Sequence, residues 1–173
     1  MAQRMFGLET EYALAGLDAR GARVDQGRVL SAFMELARKN LAHLPDRNSH
    51  GLFLENGSRF YVDHGGHPEL AICEVVDPWD ACRYILAGDR ILAKLAGPTT
   101  WGCHENYAHQ ADPQHLPKEL VPHLVSRIIY TGAGGFNNRS PGVEFMLSPR
   151  AAHPPSPPSF SAPAARSPTK WPA

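Results

Sequence analysis

The chain has no stretch of about 18 apolar residues anywhere, so nothing in it reads as a membrane-spanning helix. It has no excess of one charge: 17 basic residues stand against 17 acidic ones. Nucleic-acid binders normally carry a basic stripe, and that role is therefore not expected. It has only 3 cysteines, Cys73, Cys82 and Cys103, with no CxxC pair. An odd, scattered set suggests neither a disulfide framework nor a thiolate zinc site, and reduced thiols in a cytoplasm fit best. The opening MAQRMFGLETEY puts acids where a signal peptide needs an apolar core. The expected setting is soluble and cytoplasmic, away from membranes.

At 173 residues, 43% of them hydrophobic, the chain can bury one ordinary core. Its organising stretch is Gly51 to Glu74, GLFLENGSRFYVDHGGHPELAICE. Leu52-Phe53-Leu54 and Phe60-Tyr61-Val62 flank Asn56-Gly57, a dipeptide suited to the positive φ angles of a two-residue type I′ hairpin. Period-two alternation then puts Arg59, Tyr61 and Asp63 on one face, with Phe60 and Val62 on the other. The glycine-hinged segment His64-Gly65-Gly66-His67-Pro68-Glu69 can fold a second carboxylate, Glu69, back toward Asp63.

Upstream, Met5 to Leu14 alternates as a half-buried strand, with Glu9 and Glu11 on one face and Leu8, Thr10, Tyr12 and Leu14 on the other. From Asp25, the apolar residues Leu30, Phe33, Met34, Ala37, Leu41 and Leu44 mark an amphipathic helix ending before Pro45. Residues 46–50 read as a polar loop. Asp77-Pro78-Trp79-Asp80 caps a second helix to about Leu95, with Trp79, Ile85, Leu86, Leu92 and Leu95 as apolar contacts and Gly88 as a weak point. Thr100 to Tyr107 is strand-like. There, adjacent His104 and Glu105 face opposite ways, and a structural role for His104 is the simpler reading. A third helix is expected within Pro117 to Thr131, starting after Pro122 and stopped by Gly132-Ala133-Gly134-Gly135, with a last strand over Val143 to Leu147. From Ala151 the composition shifts to proline, alanine and serine. Residues 1–150 are thus expected as one α+β domain or part of one, mainly an antiparallel sheet with helices on one face, and 151–173 as a disordered tail.

Glu9, Glu11, Asp63, Glu69 and Glu74 supply the oxygen ligands that hard magnesium takes, and no soft cluster competes. Magnesium points to phosphate chemistry, in which an arginine neutralises charge and a spare carboxylate acts as base or nucleophile. Arg59 and Asp63 suit those two roles. A solvated acidic strand face is the plainer alternative, and a metal module built on His64, His67 and His104 is another.

The ordered set GLETEY, NGSRFYVD with HPE, AGDRIL, WGCHENY, VSRIIYTGAG and LSPRA covers nearly all of residues 5 to 151. In this set the chain resembles the Pup ligase and Pup deamidase family, the proteasome accessory factor A and Dop enzymes related to glutamine synthetase. The resemblance implies an incomplete glutamine-synthetase-like catalytic domain using ATP and Mg²⁺. It implies Glu9, Tyr61 and Glu69 as magnesium ligands, Arg59 as an ATP contact and Asp63 as the catalytic carboxylate. The implied reaction joins the C-terminal glutamate of Pup to a substrate lysine, tagging proteins for the proteasome; partners are then Pup and its protein substrates.

Deamidation or depupylation of the Dop type is the alternative activity. The length of Asp63 to His67, the Gly102-Cys103-His104 run and the absence of an insert before the hairpin lean to the ligase, whereas Val62-Asp63-His64 and Val125-Ser126-Arg127 look more like the deamidase. Three departures from the family pattern stand out. Ile72 occupies the position of a threonine associated with ATP. The interval from Leu95 to Trp101 lacks about two dozen residues of the resembling pattern, including a strand that reads like LFKNN. The proline-rich tail replaces the family's continuation. A truncated or frameshifted chain, inactive or serving to bind a partner, is accordingly a further expectation.

Overall fold

The computed structural model describes residues 4–45, 51–97, 99–112, 114–137 and 142–152. The chain divides into two compact units, residues 1–109 and residues from 110 onward. The loop expected at 46–50 and the tail beyond Ala152 lie outside the described residues.

The first unit is α+β, a six-stranded sheet in the order β2-β3-β4-β5-β1-β6 with two helices. Strand β1 is Phe6–Ala13, and it runs antiparallel between β5 (Pro68–Ala71) and β6 (Thr99–Tyr107). Helix α1, Gln26–Asn40, starts where the Asp25 carboxylate accepts the Arg28 amide and buries Phe33, Met34 and Ala37. It ends earlier than the apolar spacing suggests. Leu41 already has extended φ/ψ, and Leu44 sits 73% exposed in a short strand, β2 (His43–Pro45), which pairs with β3 (Leu52–Leu54). A three-residue strand carries too little alternation to be separated from a helix terminus.

The hairpin joins β3 to β4, Arg59–Val62, but not through a type I′ turn. No described non-glycine residue has positive φ, so Asn56 cannot take the first place of such a turn. Instead Gly57 alone is left-handed (φ 84°), its N–H donates to the Leu54 carbonyl, and the Leu54 N–H donates to the Ser58 carbonyl. This is a three-residue loop with a glycine bulge. Asn56 contributes its side-chain oxygen, which accepts the Ser58 amide at 3.0 Å.

Helix α2, Pro78–Ala96, is capped by Asp77 and ended by left-handed Gly97. Gly88 faces the sheet, and a Cβ there would stand 2.0 Å from Leu70 Cδ2, so the glycine permits a close helix-to-sheet approach. Trp79 and Leu86, expected as helix contacts, are 71% and 53% exposed, while Leu92 is buried. The core joins Phe33, Met34 and Ala37 of α1 and Leu92 of α2 to Tyr12, Leu52, Phe60 and Leu70 of the sheet. Both helices therefore cover one sheet face. Ile72, Val75 and Ala81 form a second buried cluster with Phe6 and Leu8 packed against it.

In the second unit, α3 spans Leu116–Thr131 and accommodates Pro122 within it, so the helix does not wait for that proline. None of its residues is buried. Gly132 caps it as expected, and Gly135–Phe136 (β7) then pairs with Phe145–Met146 (β8), the strand foreseen within 143–147. Ala151 and Ala152 close a 3-10 turn, Pro149–Ala152.

Candidate metal centre

Sheet register, more than chain proximity, assembles the acids. Arg59 pairs with Ala71, Ala71 with Glu9, and Glu9 with His104; one step along, Tyr61 pairs with Glu69 and Glu69 with Glu11. Paired residues share a face. Arg59, Tyr61, Glu69, Glu9, Glu11 and His104 thus all project from the face opposite the helices. Asp63 continues the β4 alternation onto the same side.

Two groups of potential ligands result. Glu9, Glu69 and His104 offer donor atoms within 4.8 Å of one another, as do Glu11, Asp63 and Glu69. Glu69, 4% exposed, belongs to both. His104 Nδ1 lies 3.3 Å from Glu9 and 4.0 Å from Glu69, while its Nε2 lies 3.7 Å from Glu11. Space for Glu11 is kept by Gly102, where a Cβ would meet the Glu11 carboxylate at 2.6 Å.

Crowding shows in the protonation of the site. Burial raises the Glu69 carboxyl to about 7, reinforced by a hydrogen bond with Glu9 and by the charges of Glu9 and Glu11, against a lowering hydrogen bond from Tyr61. Burial, then the neighbouring Glu69 charge, raises the Tyr61 hydroxyl far above its ordinary range, so the phenol stays neutral. The Arg59 guanidinium lies over the Tyr61 ring, 4.3 Å from its centroid. A divalent cation fits this donor set: oxygen-rich, sharing one carboxylate between two positions, and short of positive charge. A cavity of about 510 Å³ opens beside Glu9, bordered among others by Gly7, Ile72, Glu74, Asn106 and Tyr107.

The five residues to which the resemblance gives a ligand, ATP-contact or catalytic role, Glu9, Arg59, Tyr61, Asp63 and Glu69, come together here. Ile72 borders the cavity beside Glu9, while most of its side chain packs in the second buried cluster. His64 and His67 do not join His104 in a ligand group among the described residues, which removes the three-histidine module. His104 is the residue whose place the sequence underrated. Only its register with Glu9 turns it from a structural histidine into a neighbour of three glutamates, although its adjacency to Glu105 in an alternating strand did mark one of the two for each face.

Residues 4–99 and 96–166 match the family model described as Pup-ligase protein. The chain belongs to this Pup ligase family. Among curated relatives, the Pup–protein ligase of Brachybacterium faecium is 33% identical over 88% of this chain and 39% of its own. That of Sanguibacter keddieii is 34% identical over 87% and 38%. A solved structure of the complex between prokaryotic ubiquitin-like protein Pup and its ligase PafA is similar with a TM-score of 0.67 and 26% identity, covering 87% of this chain and 35% of that one. The chain thus spans less than two fifths of the length of these Pup ligase relatives. No described helix is long and apolar enough to cross a membrane.

Proposed function

We propose that this Pup ligase family member binds Mg²⁺ and ATP on its acidic sheet face and contributes to ligase-type joining of the C-terminal glutamate of Pup to a substrate lysine in the proteasome pathway. The observation that carries the reading is the convergence of Glu9, Glu11, Asp63 and Glu69 on one side of the sheet, with Arg59 and His104 beside them. Residues 1–150 are assigned to the N-terminal part of the catalytic domain. A cytoplasmic setting goes with this pathway.

In this reading Glu9 and Glu69, with Tyr61 and His104 next to them, would hold one cation, and Glu11 and Asp63 offer Glu69 a second set of donors. Magnesium held there would supply charge neutralisation to nucleotide phosphates. Arg59 supplies a fixed positive charge on the phosphate side. Asp63, at the end of β4, accepts a proton from the lysine amine as that amine attacks the activated carboxyl carbon and phosphate leaves. The cavity beside Glu9 has room for the nucleoside, and the buried side chain of Ile72 offers it no hydroxyl. A Dop-type reading uses the same Asp63 on an amide carbonyl; the names of the relatives favour the ligase.

Isothermal titration with Mg-ATP tests the binding half. Heat of binding should appear and be weakened at least tenfold by Asp63→Asn or Glu9→Ala, since each removes a charged hydrogen-bonding or ligand group; binding indifferent to both substitutions overturns the assignment. Incubation with Pup, Mg-ATP and a lysine-bearing protein tests the other half. Conjugate lost in Asp63→Asn supports turnover by this chain. Mg-ATP binding without conjugate means that the activity needs parts present in the longer relatives.

A further inference from the structure

One aromatic side chain stands at the site without a part in the chemistry above. Glu11 pairs with Gly102 and Tyr12 with Thr100, so Trp101 is the extra residue of a bulge in β6. Its indole stacks on the imidazole of His67, centroids 5.2 Å apart and planes 16° from parallel. His67 is tied to Asp63 twice through the main chain. Its N–H donates to Asp63 Oδ1 at 2.6 Å, and the Asp63 N–H donates to the His67 carbonyl at 2.9 Å. The ring adds a third relation, with Nδ1 at 3.6 Å from Asp63 Oδ2. That nitrogen is shielded from solvent and has no hydrogen-bond partner among the described residues. Gly65 keeps the notch between them open, because a Cβ there would stand 3.0 Å from both Nδ1 and Oδ2.

We propose that Trp101 is a positioning residue for Asp63, acting through His67. A carboxylate held by one oxygen still rotates, and the ring beside Oδ2 restricts that rotation only while the ring itself is fixed. The stack fixes it, leaving Asp63 aimed at Glu11 and Glu69. Trp101 is 66% exposed, so the indole does this from outside the core. The inference rests on the proposed role of Asp63, and its test separates the two.

Amide hydrogen exchange at His67, read by NMR on the whole chain, reports the grip on Asp63 without any metal. In Trp101→Ala the His67 amide should exchange about threefold to tenfold faster, the range expected from losing one aromatic pair, with the melting temperature lowered by no more than the few degrees that the same loss implies. Trp101→Phe should restore it. Gly65→Ala should reproduce the acceleration with the indole intact, and Trp101→Ala should add nothing in a His67→Ala background when Mn²⁺ affinity is the readout. Unchanged exchange in Trp101→Ala, or additive effects of Trp101→Ala and His67→Ala on Mn²⁺ affinity, overturns the proposal. Wild-type Mn²⁺ binding that Asp63→Asn leaves unaltered overturns the proposed function instead, and the exchange arm still decides the positioning.

Discussion

Replacing Glu69 by glutamine probes the charge crowding of the acidic face in a way that gives a sign as well as a size. Its carboxyl is raised from 4.5 to about 7, chiefly by burial, then by Glu9 and Glu11. The folded state therefore holds a proton over this interval that the unfolded state has released. Linkage then makes stability fall as pH rises from about 4.5 to 7, and leaves it fully present below the lower value. At about 1.4 kcal/mol per pH unit the loss is on the order of 3 kcal/mol. Urea unfolding of metal-free protein, followed by tryptophan fluorescence to which Trp79 and Trp101 of the first unit contribute, should show this decline. Glu69→Gln preserves the side-chain shape without a titrating proton, and its profile should lack that component. Saturating Mg²⁺ should recover much of the loss in wild type, by compensating the charge. Parallel wild-type and Glu69→Gln profiles between pH 4.5 and 7 would refute the reasoning.

Four further substitutions address the scaffold beneath the site. Gly88→Ala should lower stability by about 1–3 kcal/mol despite the better helix propensity of alanine, because its methyl collides with Leu70; the urea midpoint reads it. Tyr12→Phe removes the hydroxyl that donates to Asp89 at 2.5 Å and should cost about 1–2 kcal/mol in the same measurement, with Mn²⁺ affinity unchanged because Tyr12 lies on the helix-covered face. Gly57→Ala forces a left-handed alanine into the hairpin and brings a Cβ to 3.3 Å from Cys73 Cβ. It should destabilise by about 1 kcal/mol or more, whereas Asn56→Gly, which loses only the side-chain contact to Ser58, should cost less.

The parts of this protein readable from sequence are those with a strong local period. Alternation in β1 put Glu9 and Glu11 on one face and Tyr12 on the other, and the pairing to β5 and β6 bears out that division. Asp25 and Asp77 announced two helix starts through their capping chemistry. The family was legible in six short motifs. What local pattern cannot carry is register and neighbour choice. Leu44 extends the apolar spacing of α1 yet belongs to β2, because pairing with β3 overrides the helix preference there. Trp79 and Leu86 fit a helical stripe, but only the width of the sheet decides which of those positions meet it. The Asn-Gly pair signalled a turn correctly and its type wrongly, since a one-residue difference in loop length shifts left-handed geometry onto Gly57 alone. For the site, sequence supplied Arg59, Tyr61, Asp63 and Glu69 on one hairpin and Glu9 on a distant strand. It named His104 only as a structural histidine or in a histidine module, because its contact with the glutamates spans 95 positions of chain and exists only through the β1 to β6 register.

Cations seated against the acidic sheet face are what the roles of Glu9, Asp63 and Glu69 require. Anomalous diffraction from crystals of the chain grown with Mn²⁺ and ATP locates them directly. A manganese peak bounded by Glu69 together with Glu9 and His104, or with Glu11 and Asp63, is the predicted result. Manganese found only elsewhere on the chain, with these carboxylates unligated, contradicts it.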